Sequence, residues 1–296
     1  MNVLLWGLLQ DAPLAAIRRE LHRAGVEPLI VDQRRPDQTA IELATEATVT
    51  GTLRLPGRTI AIQDIDAAYL RPYDAQRLHG TANPHAAAVA EALIAWAGVT
   101  PALVVNRPSA MASNESKPYQ LELIRAAGFA VPPTLVTTDP AAVRQFADEH
   151  GPLIYKSVSG VRSRVARLSN ERAQSLDDVA WCPTQLQRHI DGLDHRVHVL
   201  GDSVFATRVQ SADDDYRYAE RPPMLTETTL PSQIKDRCIE LAAALALPLA
   251  GIDLRLTTEG DWFCFEVNPS PAFTYYESAT GQPIAAAIAR LLTRAG

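Results

Sequence analysis

Apolar and polar positions change character near residue 105. Residues 2–7 are an apolar run of strand length, and residues 12–24 carry the spacing of an amphipathic helix that Gly25 ends. Residues 27–32 form a second strand, and strand–helix–strand is how a doubly wound α/β domain begins. Residues 47–62 alternate as short antiparallel strands broken at Pro56-Gly57. A strand over 66–70, an alanine-rich helix over 86–96 and a strand over 102–105 complete this half. It contains no G-x-G-x-x-G, so a dinucleotide site has no support there.

Beyond residue 105 the pattern predicts a helix over 113–127, with Ser113 as its cap and Gly128 closing it. Asp139-Pro140 opens another helix that runs to His150. Strands follow over 153–157, 165–168, 184–190, 195–200 and 203–209, and residues 211–221 are a polar loop. Helices over 232–245 and 284–294 flank a hairpin of strands 251–256 and 263–269.

That hairpin is the most telling chemistry in the chain. With Glu259-Gly260 as a two-residue turn, symmetric pairing sets Asp253 opposite Glu266, and Asn268 lies on the same face. Opposed carboxylates repel across a sheet. A cation between them removes the conflict, and two carboxylates with an amide carbonyl are an oxygen-only set suited to Mg²⁺. Mg²⁺ held in this way usually also binds substrate phosphates, which predicts a nucleoside-triphosphate site.

Composition narrows the classes. The chain has 296 residues, room for two or three domains, with 47% hydrophobic and 21% charged residues. A net charge of −6 with no basic stretch argues against a nucleic-acid partner. The opening MNVLLWGLL lacks the charged start of a signal peptide and is too short for a membrane span. Three widely spaced cysteines form no disulfide framework, in keeping with a cytoplasmic protein.

Phosphate-binding candidates follow. Lys156 ends an apolar strand before a small loop containing Ser159 and Gly160; it is either a phosphate ligand or a strand-end lysine reaching for water. Lys117 lies near the start of the 113–127 helix, a poor place for a cation unless an anion binds there too. Gln187, Arg188, His189 and Ile190 lead into a polar turn followed by Asp194 and Arg196, which suit ribose and phosphate or else form a surface ion pair. Arg217, in an acidic loop, is a candidate for stabilising a transferred phosphoryl group. Arg71 ends a strand of the first half, where it holds a substrate carboxylate or a structural partner. The histidines lack metal-site spacing, and no Ser–His–Asp or Cys–His set is present.

From about residue 103 onward the segments VVNRPSAMASNESK, IYKSVSG, LQRHIDGLDHRVHVLGD, DYR, AGIDLRL and FEVNPSPAF resemble the ATP-grasp superfamily. They are most similar to its RimK-like branch of ribosomal-protein glutamate ligases. The resemblance implies a mixed α/β and α+β chain: an ATP-grasp fold behind a Rossmann-like pre-ATP-grasp domain. Residues 1–105, 106–190 and 191–296 would be the N-terminal domain, the lid or central subdomain and the catalytic subdomain. It also implies phosphate contacts from Lys117, Lys156 and the Ser159-Gly160 lid, and adenine along 187–190. Asp194 would hold ribose. Mg²⁺, as two ions or with Mn²⁺ in their place, would sit on Asp253, Glu266 and Asn268, and Arg196 and Arg217 near the acyl phosphate. Arg188 stands where a glutamate is common, Tyr218-Ala219 replaces small polar residues, and the lid is rich in arginine instead of glycine. The expected activity is ATP-dependent ligation of a small or peptide carboxylate to an amine; a dimer is common among such enzymes. A nucleotide-binding protein without turnover and a small-molecule kinase are the alternatives.

Overall fold

Seven strands form in the first 105 residues: β1 (Val3–Gly7), β2 (Leu29–Asp32), β3 (Ala40–Thr45), β4 (Val49–Leu55), β5 (Arg58–Ala61), β6 (Ala67–Arg71) and β7 (Leu103–Val105). The computed structural model describes residues 1–46, 48–79, 83–157, 166–169, 172, 176–211 and 221–294. β2, β1, β6 and β7 lie in that order as a parallel sheet. Strand alternation sends Val3 and Leu5 to one face and Leu4 and Trp6 to the other, and all four are buried. The second face packs on the helix Pro84–Val99 and on the antiparallel sheet β3–β4–β5. The first packs on the helix Ala12–Arg23, where Asp11 caps Leu14 N–H at 3.3 Å.

A small antiparallel sheet, β10–β9–β11–β8, is built from β8 (Thr134–Thr137), β9 (Leu153–Ser157), β10 (Ala166–Arg167) and β11 (Thr184–Arg188). Among the described residues its core holds Val143, Leu153, Leu176, Val179 and Leu186. The last sheet contains β12 (Leu193–Leu200), β13 (Ser203–Gln210), β14 (Met224–Thr228), β15 (Leu249–Leu256) and β16 (Trp262–Asn268), ordered β14–β13–β12–β15–β16 and antiparallel throughout. Its back face, with Val197, Ile252 and Val267 fully buried, packs on the helices Lys117–Ala126 and Ser232–Ala244.

Packing does not follow chain order. Leu121 and Ile124 sit in the core of the last sheet, and the Gln120 amide exchanges two hydrogen bonds with the Val267 backbone (2.8 and 3.0 Å). The segment after residue 106 therefore serves the C-terminal sheet before the chain enters the central one. The terminal helix Ile284–Thr293 packs instead on the N-terminal core, through Ile284, Ile288 and Leu292.

Several expectations need correction. The helix expected at 113 begins at Lys117, with Ser116 in the cap position and no side-chain cap. Pro118 explains this: inside a longer helix it would lack an N–H and clash with the preceding turn, whereas in the first turn it is tolerated. Ser113 lies in the 3₁₀ turn Ala112–Glu115, and its buried hydroxyl has no partner among the described residues. β3, β14 and the helix Thr274–Thr280 were not expected. No described helix is long and apolar enough to cross a membrane.

Candidate active site

Three side chains stand in one row across the front of the C-terminal sheet. Arg196 on β12 is opposite Asp253 on β15, and Asp253 is opposite Glu266 on β16. The hairpin reaches this register by a different route from the one expected. The turn is five residues long, 257–261, closed by Thr257 N–H to Asp261 O at 2.9 Å. That alone would shift the pairing by one residue. Phe265 has no partner on β15, so the ladder bulges between Asp253 and Leu254 and the shift is undone.

Each carboxylate meets a cation. Arg196 donates Nη1–H to Asp253 Oδ1 at 2.7 Å. Lys117, at the start of its helix, ion-pairs with Glu266 Oε1 and donates to Asn114 Oδ1 at 3.1 Å. Lys156 is buried on β9, with its charge also felt at Glu266. Burial alone would push the Glu266 carboxyl up, but Lys117, Lys156 and Arg196 together hold it below its ordinary value. Gly251 makes room for Arg196: a Cβ there would lie 2.2 Å from Nη2 and 2.7 Å from Pro271 Cβ.

The donors fit a hard divalent cation. The described residues hold no group of three His, Cys, Asp or Glu side chains placed for a metal. The set is two carboxylates and the Asn268 amide. Each carboxylate spends one of its two oxygens on its cation. Asn268 Oδ1 accepts from Ser270 N–H at 2.8 Å, which identifies the oxygen end of that amide.

Farther along β15, Arg255 grips Asp194 with two prongs, Nε to Oδ1 at 2.6 Å and Nη2 to Oδ2 at 2.8 Å. Its third nitrogen donates to Ile190 O at 2.7 Å, and the guanidinium lies 5.2 Å from the Phe265 ring centre. Asp194, expected to hold ribose, is thus already oriented by an arginine that sequence reasoning passed over. The signal was present, since Arg255 alternates with Asp253 on the same face.

In the 187–190 segment, Arg188 and His189 donate their N–H groups to Pro133 O (2.9 Å) and Pro152 O (2.8 Å). The Arg188 side chain is exposed, whereas the His189 side chain packs inward, 3.4 Å from Asp191. Gln187 is fully buried. It donates Nε2–H to Thr134 Oγ1 at 2.9 Å, and its Oε1 has no partner among the described residues.

Arg71 is placed apart from the row of carboxylates. Nε donates to Asp11 Oδ2 at 2.6 Å, and Nη1 reaches Ser270 O, Ser270 Oγ and Pro271 O at 3.0, 2.9 and 3.2 Å. Those two nitrogens are spent inside the protein, which is the structural pairing weighed for Arg71 beside a substrate carboxylate. Ser159, Gly160 and Arg217 lie outside the described residues.

Residues 112–292 match the family model for the RimK-like ATP-grasp domain. A probable alpha-L-glutamate ligase of Vibrio cholerae serotype O1 is 28% identical over 209 residues, 67% of this chain and 68% of that one. A ribosomal protein bS6–L-glutamate ligase of Shigella flexneri serotype 5b is 27% identical over 203 residues, 64% and 67% of the two chains. Among solved structures, the ATP-grasp ligase PsnB, complexed with a phosphomimetic variant of a minimal precursor, Mg and ADP, superposes with a TM-score of 0.83. It is 26% identical, and the match covers 99% of this chain and 98% of that one. A family match over most of the chain, on a fold that brings two opposed carboxylates under three cations, makes this protein a member of the RimK-like ATP-grasp family of ATP- and Mg²⁺-dependent carboxylate–amine ligases.

Proposed function

We propose that the protein joins a carboxylate carried by a peptide to an amine, with Lys117, Lys156, Arg196 and Arg217 around the phosphates and Asp194 at the ribose. The observation that carries the reading is the Asp253–Glu266 pair with Arg196, Lys117 and Lys156 converging on it. In the reaction a carboxylate oxygen attacks the γ-phosphorus of ATP. The bond to the β-phosphate breaks, and ADP leaves with that electron pair. The amine then attacks the acyl carbon, phosphate departs, and the proton of the amine passes to phosphate or solvent. Lys117 and Lys156 hold the phosphate oxygens, and Arg196 stabilises the negative charge that grows on them. Mg²⁺ bound by Asp253, Glu266 and Asn268 would supply further neutralisation of those oxygens.

A peptide substrate is supported by the PsnB likeness, which extends through the N-terminal domain and belongs to a protein solved with its precursor. The test is ADP release by the purified protein with ATP and Mg²⁺, offered either acidic, lysine-containing precursor peptides or free amino acids. The expected product is an amide of the peptide carboxylate, lighter by one water than the carboxylate and amine that enter it together, formed with ADP and phosphate. Ligation of free amino acids alone would overturn the peptide reading. A stable phosphorylated product, or no ADP release with any carboxylate, would overturn the ligase itself.

A further inference from the structure

Asn268 is followed at once by a loop that the N-terminal domain holds. Ser270 donates its N–H to Asn268 Oδ1 at 2.8 Å, and the same serine accepts from Arg71 through both its carbonyl and its hydroxyl. Arg71 is 15% exposed at its side chain and stands at the end of β6, fixed from behind by Asp11, the cap of the first helix. The start of the loop is held independently. Asn106, buried where β7 leaves the N-terminal sheet, donates to Pro269 O and to Leu249 O, and accepts from Leu249 N–H at 3.1 Å.

We infer that Arg71 is a positioning residue for the metal site: through Ser270 it orients the amide oxygen of Asn268, so that the N-terminal domain sets the geometry of the third Mg²⁺ ligand. An amide oxygen has two lone pairs. Ser270 N–H takes one and fixes the direction of the other. Without Arg71 the Pro269–Pro271 turn keeps its sequence but loses three acceptor contacts to a rigid sheet, and Asn268 loses its fixed aim. Partners behind a metal ligand typically change metal affinity by about 10- to 100-fold when removed. The inference rests on Asn268 being a metal ligand, and the experiment separates the two claims.

Mn²⁺ binding to the ADP-bound full-length protein, read by electron paramagnetic resonance, is compared across variants. Arg71→Gln combined with Asp11→Asn avoids leaving a carboxylate unpaired, and Asn still caps the helix. This variant should weaken Mn²⁺ binding about tenfold or more, with metal-free ADP affinity unchanged. Asn268→Ala should weaken it as well, and adding the Arg71 and Asp11 changes to Asn268→Ala should weaken it no further. If Asn268→Ala leaves Mn²⁺ affinity intact, the metal assignment fails and this inference fails with it. If Asn268→Ala acts but the Arg71 variant does not, or if the two effects multiply, only the positioning role is overturned. Arg71→Lys keeps the charge near Asp11 but replaces the fork by a single ammonium. Should the double variant not fold, unchanged Mn²⁺ affinity in Arg71→Lys overturns the inference.

Discussion

Asp253 and Glu266 face each other across β15 and β16, and each is paired with a cation from a different element: Arg196 from β12 and Lys117 from a helix start. The repulsion between them is thus already offset in the protein itself, before any ion or nucleotide binds. This divides their tasks. The cations offset the repulsion and, in the proposed reaction, face the phosphates, while the oxygens not spent on them would hold the metal. Asp253→Asn keeps the shape and an acceptor for Arg196 but removes one metal-binding charge. Turnover should fall on the order of 100-fold or more, the loss of several kcal/mol of transition-state stabilisation. Metal-free ADP affinity should change little. ADP-release assays and equilibrium binding check the two halves, and unimpaired turnover would sink the assignment.

Gly251 tests the same row from the side. Alanine there would place a Cβ 2.2 Å from Arg196 Nη2 and 2.7 Å from Pro271 Cβ. The guanidinium can swing away, but only by leaving Asp253; the proline ring has less freedom. Gly251→Ala should therefore destabilise by about 1–3 kcal/mol and lower kcat. Gly98 is the control, because it lies in the helix Pro84–Val99 with nothing within 4 Å of its added Cβ. Gly98→Ala should stabilise by roughly 0.5–1 kcal/mol. Thermal unfolding of both variants reads the opposite signs.

The Asp253–Glu266 opposition was legible because alternation along Ile252-Asp253-Leu254 and Glu266-Val267-Asn268 forces acids to one face and Ile252 and Val267 to the other. The turn was not. A five-residue loop and a bulge at Phe265 each displace the register by one, in opposite senses, and residue periodicity carries no trace of a displacement that cancels. Pro118 did announce where its helix starts, since it cannot sit deeper than the first turn. The partner of that helix was hidden: amphipathic spacing shows that Leu121 and Ile124 are buried, not that they are buried under β16. Alternation puts Arg255 on the face of Asp253, but its pairing with Asp194 and the space Gly251 leaves for Arg196 depend on what lies across the sheet and emerge only with the fold.

We propose that Gln187 bears on nucleotide choice. The Thr134 hydroxyl donates its one hydrogen to Pro132 O at 2.8 Å, so toward Gln187 it can only accept. The Gln187 amide is thereby oriented, and its buried Oε1 is an acceptor without a described donor. The amino group of adenine would supply one; the corresponding carbonyl of guanine would repel it. Gln187→Met should raise the KM for ATP about tenfold, the worth of one hydrogen bond to a buried acceptor. It should leave GTP less affected and so narrow the preference between the two. If the ATP-to-GTP ratio of kcat/KM is unchanged, Gln187 does not read the base.

His198 makes stability depend on pH. It is fully buried against Tyr276, with ring centres 5.2 Å apart, and neither ring nitrogen has a hydrogen-bond partner among the described residues. Burial, reinforced by the nearby Arg196 charge, holds its pKa well below the ordinary 6.5. The folded protein therefore keeps the ring neutral where the unfolded chain protonates it. Above pH 6.5 both forms are neutral, and the residue contributes no pH dependence. Below that value the unfolded chain binds more protons, so folding weakens as pH falls, by roughly 1 kcal/mol for each pH unit from this residue. His198→Phe keeps an aromatic ring against Tyr276 and removes both unpartnered nitrogens. Its stability relative to the wild type should rise steadily from pH 7 toward pH 5, measured by denaturant unfolding at each pH. His195, whose pKa burial also lowers, is present in both proteins and drops out of the difference. A gap that stays constant with pH would mean that His198 takes up its proton as readily in the fold as in the unfolded chain.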